Sequence, residues 1–147
     1  MQFQKITPYL WFEDQAEEAA TFYCSIFKNS TITSASSMIV EFQLEGMSFI
    51  AINGGPQYQF NEAVSFYVLC EDQQEVDDLW NVLTQNGGSE GKCGWCKDKY
   101  GLSWQIIPKR FREIMKSSEP EQAQKVIAKM LTMNKMVVAD FEEVING

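Results

Sequence analysis

The chain carries nearly the same pattern twice. A strand-then-helix pattern begins at Ile6 and recurs from Ala63. Along the strands, Ile6, Pro8, Leu10 and Phe12 correspond to Ala63, Ser65, Tyr67 and Leu69. Along the helices, Ala19, Phe22, Tyr23 and Ile26 correspond to Val76, Leu79, Trp80 and Leu83. Internal duplication constrains architecture before any single motif does. It predicts two similar modules side by side, with a shared cavity where their sheets meet.

Each module reads in the same order. Ile6 to Phe12 is a strand, and Asp14 with Glu17 forms a capping box for a helix striped by Ala16, Ala19, Ala20, Tyr23 and Phe27. Thr31 to Ser36 is a short edge segment. Met38 to Leu44 and Met47 to Asn53 are strands joined by a tight hairpin at Glu45-Gly46. Asn53-Gly54-Gly55-Pro56 breaks the chain. The pattern restarts with Val64 to Cys70, a capping box at Asp72 and Glu75, and a helix striped by Val76, Leu79, Trp80 and Leu83. Lys92 to Lys97 and Leu102 to Ile107 pair across a turn near Tyr100-Gly101. The repeat is inexact, because the caps sit one residue out of step with the apolar faces. After Pro108 the chain turns helical, with a third capping box at Ser118 and Glu121. The methionines Met115, Met130, Met133 and Met136 fit core or dimer packing better than an adaptable binding surface. The fold class is α+β: two tandem β-α-β-β-β modules with a helical C-terminal extension. The boundaries are about 5–57, about 62–109 and 110–147 within one domain.

Composition excludes several function classes. No apolar run approaches the ~20 residues of a membrane span, and no signal segment follows Met1, so the expected location is cytoplasmic. A net charge of −8 disfavours nucleic acid. Lys109, Arg110 and Arg112 read as a solvated helix start. There is no histidine, which removes imidazole acid–base chemistry, histidine triads and imidazole metal sites.

The cysteines are Cys24, Cys70, Cys93 and Cys96. Cys93-Gly94-Trp95-Cys96 has the spacing of a redox pair, but redox pairs open helices, where the dipole lowers the thiol pKa. Here the stretch leads into a hairpin turn and falls on a strand, where residues three apart point to opposite faces. A structural role is therefore expected over a redox one.

Two β-α-β-β-β modules resemble the vicinal-oxygen-chelate superfamily of glyoxalase I, extradiol dioxygenases and fosfomycin- and bleomycin-resistance proteins. Within it, the chain resembles the PhnB-like, 3-demethylubiquinone-9 3-methyltransferase-like family. The resemblance rests on Ile6-Thr7-Pro8-Tyr9-Leu10-Trp11-Phe12, Asn53-Gly54-Gly55-Pro56, Cys93-Gly94-Trp95, Lys97-Asp98 and Tyr100-Gly101-Leu102-Ser103-Trp104-Gln105. The tail around Ala128-Lys129-Met130-Leu131 is also similar. Cys96 departs from the family pattern, which has an aliphatic residue there.

The resemblance implies that the superfamily's metal-ligand positions fall on Pro8, Asn53, Ser65 and Gln105. A proline side chain cannot ligate, and a hydroxyl and an amide are weak donors, so no metal and no cofactor are expected. The expected ligand site has Asn53, Ser65 and Gln105 as polar groups among Leu10, Phe12, Tyr67 and Trp95. Glu41 is the candidate catalytic base, with a surface salt bridge as its alternative role. The name of the family implies methyl transfer, but no glycine-rich loop leads from a strand into a helix. The first functional expectation is metal-independent binding of a small organic molecule by a homodimer. The alternatives are an enzyme, either methyltransferase-like or a lyase or isomerase using Glu41, and a partner-binding dimer with a filled cavity.

Overall fold

Strand β1 (Tyr9–Phe12) runs parallel to β4 (Met47–Asn53), and between them the chain makes helix α1 (Ala16–Ile26) and strands β2 (Thr31–Ala35) and β3 (Ile39–Leu44). The sheet order is β1-β4-β3-β2. The arrangement then repeats. Strand β5 (Ser65–Cys70) runs parallel to β8 (Ser103–Pro108), with α2 (Gln73–Thr84), β6 (Ser89–Glu90) and β7 (Trp95–Lys97) between them, in the order β5-β8-β7-β6. This computed structural model describes residues 1–147, which divide into two units, Met1–Phe60 and Asn61–Gly147.

In the first unit, α1 buries Ala16, Ala19, Ala20 and Tyr23. The alanines bring the helix close to the sheet, which answers with Leu10, Phe12, Val40, Phe42, Phe49 and Ala51. The strands alternate, so Tyr9, Trp11, Ile39 and Glu41 point away from the helix. Glu45 and Gly46 both adopt positive φ, 50° and 81°, as the expected tight hairpin requires. The expected strand from Ile6 starts only at Tyr9, and Ile6 itself is exposed. The capping box at Asp14 and Glu17 does not form. Helix α1 follows Gln15, and the Ala16 N–H donates instead to Asn53 Oδ1 at 2.8 Å. Register explains this: Asn53 pairs with Phe12 at the end of β1, beside the start of the helix.

In the second unit, α2 buries Val76, Leu79, Trp80 and Leu83, as its stripe predicts. Asp72 Oδ1 accepts from the Glu75 N–H at 3.0 Å, and Glu75 Oε1 accepts from the Glu71 N–H at 2.7 Å. Cys96, Trp104 and Ile106 line the helix side of this sheet.

The tail adds α3 (Lys109–Ser117), α4 (Pro120–Met130) and α5 (Val138–Asn146). The capping box expected at Ser118 and Glu121 is replaced by Pro120 in the first turn, where a missing N–H goes unnoticed. Ile107, Ile114, Val126, Met133, Met136 and Phe141 form a second core, so the tail methionines pack inward. Each side chain removed from water there contributes about 1.5–3 kcal/mol. The segment after α4 is stitched to the start of β7: Met133 O accepts from the Cys93 N–H at 2.9 Å and Asn134 O from the Gly94 N–H at 2.8 Å. No helix is long and apolar enough to cross a membrane.

Candidate functional site

The face of the second sheet opposite α2 is organised in cross-strand rows. Trp95 on β7, Gln105 on β8 and Tyr67 on β5 stand side by side. The adjacent row is Lys97, Ser103 and Ser65. Gln105 Nε2 donates to Ser65 Oγ at 2.9 Å, so these two expected site residues meet. Arg112 lies over the Tyr67 ring, 5.8 Å from its centroid. Burial pushes the Tyr67 phenol up, with the guanidinium opposing.

A cleft of about 570 Å³ opens along this sheet, lined by Trp95, Lys97, Ser103, Lys92, Cys93 and Glu62, among others. Lys97 Nζ and the Glu62 carboxylate form an ion pair. The hydrogen bond from Lys97 is the main reason the Glu62 carboxyl lies below its ordinary range. Ser103 is 1% exposed, and its Oγ is buried without a hydrogen-bond partner.

The first unit distributes the other expected site residues differently. Leu10 and Phe12 are buried on the helix side of their sheet, at 7% and 3% exposure, and form core rather than an open face. Asn53 shares that side, and its side chain is already occupied. Its Oδ1 caps α1, and its Nδ2 donates to Ser37 O at 3.0 Å. Glu41 stands on the opposite face, exposed, and its carboxylate makes none of the ion pairs in the molecule. Four expected residues therefore gather on one face: Ser65, Tyr67, Trp95 and Gln105.

Sequence reasoning missed Lys97, Ser103, Glu62 and Arg112. The first two were within reach, since stepping two residues back from Gln105 gives Ser103, and two on from Trp95 gives Lys97. Glu62 and Arg112 arrive from a turn and a helix, and no strand periodicity points to them. The three basic residues read as a solvated helix start have partners. Lys109 lies 3.6 Å from Glu71, Arg110 pairs with Glu142, and Arg112 covers Tyr67.

The four cysteines are free thiols. Burial, reinforced by nearby carboxylates, pushes Cys70 and Cys96 up to about 12, which opposes thiolate chemistry. Cys93 sits in the turn before β7 with a φ of 58°.

Residues 4–107 match the model of the 3-demethylubiquinone-9 3-methyltransferase family. The chain belongs to that family. A PhnB protein from Bacillus cereus, described as a putative 3-demethylubiquinone-9 3-methyltransferase, is 35% identical over 71% of this chain and 99% of its own, with a TM-score of 0.68. Protein PA1353 from Pseudomonas aeruginosa shares the fold at 19% identity, covering 73% of this chain and 98% of its own, TM-score 0.59. The fosfomycin resistance protein FosX from Listeria monocytogenes, solved with Mn(II) and sulfate, shares it at 15% identity, covering 79% of this chain and 98% of its own, TM-score 0.59. These two likenesses are of fold, the tandem β-α-β-β-β arrangement. No curated protein matches the chain. The helical tail, with Ala128-Lys129-Met130-Leu131, lies beyond the residues that match the family model.

Family motifs have concrete local roles here. In Asn53-Gly54-Gly55-Pro56, the Trp11 indole fills the space beside Gly54, where a Cβ would lie 2.3 Å from the ring. Trp11 Nε1 donates to Gly55 O at 2.9 Å. A cofactor laid on this glycine turn would compete with the indole, so the turn does not fit an S-adenosylmethionine site. A metal of the kind in FosX fits no better. No group of three or more Cys, Asp or Glu side chains is disposed to hold one, and the donors on the open face of the second sheet include the neutral Ser65, Ser103 and Gln105.

Proposed function

We propose that this protein binds a small organic molecule without a metal, on the open face of its second sheet. The observation that carries the reading is the row Trp95–Gln105–Tyr67, with Gln105 tied to Ser65, whose Trp95 end lines a cleft of about 570 Å³. Apolar walls with a few directed polar groups are the usual composition of small-molecule sites, and this volume lies within their ordinary range of roughly 300–1,000 Å³. Trp95 and Tyr67 supply flat surface. Gln105 has an amide oxygen to accept while its Nε2 is held by Ser65, and that hydrogen bond fixes the orientation of the amide.

The enzymatic reading draws less support. A Glu41 general base would need a sheltered position beside a bound substrate, and Glu41 is exposed. Methyl transfer would need a cofactor cradle, and the glycine turn is filled by Trp11.

Native mass spectrometry of the full chain purified from cells, with metal analysis on the same sample, tests the proposal. A metal-free species carrying an organic mass is expected, in a homodimer. Stoichiometric manganese, zinc or nickel, lost together with ligand binding on chelation, would overturn it.

A further inference from the structure

Ser103 is the one residue whose buried side-chain polar atom has no partner. A hydroxyl desolvated without a hydrogen bond costs on the order of 1–3 kcal/mol. Ser103 lines the cleft, and its register partner on β7 is Lys97. Both side chains project from the cleft side of the sheet, a buried hydroxyl and an ammonium, and both can donate. What complements two donors is an acceptor, and next to an ammonium an anionic acceptor is favoured. Glu62 shows that a carboxylate fits at Lys97 Nζ, because it occupies that place from an exposed turn of the chain. Lys92 lines the same cleft and adds positive charge, while Glu90 opposes it. Trp95, one row along from Lys97 and Ser103, offers an aromatic wall.

We propose that Lys97 Nζ and Ser103 Oγ together bind the carboxylate of a small aromatic acid, and that Glu62 is a built-in competitor displaced on binding. This rests on the small-molecule reading above and adds the class of ligand. The guest carboxylate accepts from both Lys97 and Ser103, which supplies the hydroxyl with its missing partner. Its ring lies against Trp95. Glu62 returns to solvent at little cost, because an exposed ion pair is weak.

The test is calorimetric titration of the full chain with benzoate, and with benzamide as its neutral analogue. Benzoate is expected to bind at least ~10-fold more tightly than benzamide. Glu62→Gln removes the competitor and should tighten benzoate by roughly 2–5-fold, a larger change than it makes to benzamide. Ser103→Ala should weaken benzoate by about 5–10-fold while the melting temperature holds or rises, because it deletes an unpartnered buried hydroxyl. A merely structural serine would give the opposite stability result. Benzoate binding no tighter than benzamide, or unaffected by both substitutions, overturns the inference. If the two probes bind equally and both weaken in Trp95→Ala, the small-molecule reading stands and only the carboxylate class falls.

Discussion

Trp104 Nε1 donates a 2.9 Å hydrogen bond to Asp98 Oδ2, and both residues are buried. The other carboxylate oxygen, Oδ1, accepts from the Tyr100 N–H at 2.9 Å and the Leu102 N–H at 3.1 Å. One carboxylate thus closes the β7–β8 turn and anchors it to an indole on the helix side of the sheet. The same turn sets the register that places Ser103 opposite Lys97 and Gln105 opposite Trp95. Lys97-Asp98 and Ser103-Trp104 are therefore one device read in two pieces of sequence.

Asp98→Asn keeps an acceptor for the turn but can set an NH₂ against the Trp104 N–H, so a donor faces a donor. The expected loss is about 1–3 kcal/mol of stability, with Asp98→Ala at least as damaging. Urea unfolding followed by tryptophan fluorescence measures it. A midpoint unchanged in both variants would refute the role of this carboxylate.

Gly54→Ala is expected to destabilise through one ring. The new methyl group would overlap the Trp11 indole, which cannot stay in place and keep its bond to Gly55 O. Overpacking of this kind costs about 1–3 kcal/mol. The companion Trp11→Phe removes part of the ring at that contact, so the alanine should cost less in that background. A double-mutant cycle reads the coupling, and strict additivity would count against the contact.

The duplication in the sequence was enough to read two β-α-β-β-β modules, because helix stripes and turn residues are local signals. What it did not fix is which face of each strand looks inward. Aligning Leu10 with Tyr67 and Phe12 with Leu69 puts all four on equivalent faces. In the structure Leu10 and Phe12 lie under α1, whereas Tyr67 and Leu69 are 47% and 43% exposed. A strand alternates with period two, so a one-residue offset between the repeats exchanges the faces completely. That offset puts Leu10, Phe12 and Asn53 on the helix side of their own sheet, whereas Ser65, Tyr67, Trp95 and Gln105 share the open face of theirs. Asn53 was misleading for a second reason. Its capping role spans from the end of β4 to the start of α1, and no spacing within the helix announces a cap supplied from 37 residues away.

The tail should loosen in acid by a defined amount. Lys135 Nζ lies 2.7 Å from Asp77 Oδ1, which also accepts from Gln73 Nε2 at 3.0 Å. The Lys135 hydrogen bond, then that of Gln73, holds the Asp77 carboxyl below its ordinary range. A depressed carboxyl contributes stability above its unfolded value, about 3.9, and loses it as pH falls through the lower folded value. Lys135→Met should therefore cost about 0.2–1 kcal/mol at pH 7, and the difference from wild type should shrink as pH falls below about 4. Denaturation at a series of pH values reads this directly. A gap that widens in acid would have the wrong sign.

The thiols should react in an order set by burial. Cys70 and Cys96, pushed up to about 12, hold at neutral pH roughly a thousandth of the thiolate of a thiol at its ordinary 9.0. Both are also buried away from reagent. Cys24 is half-buried and raised by burial, and its Sγ contacts Gln43 O at 3.8 Å. Cys93 is half-buried and borders the cleft. Iodoacetamide on the native protein should add first to Cys93, then slowly to Cys24, and to the other two only in denaturant. Peptide mapping by mass spectrometry assigns the adducts. Early labelling of Cys96 alongside Cys93 would mean that β7 opens readily, which the bonds from Cys93 and Gly94 to the tail oppose. If benzoate occupies the cleft, it should also slow the Cys93 adduct and leave the Cys24 rate unchanged, so one labelling experiment reports both burial and binding.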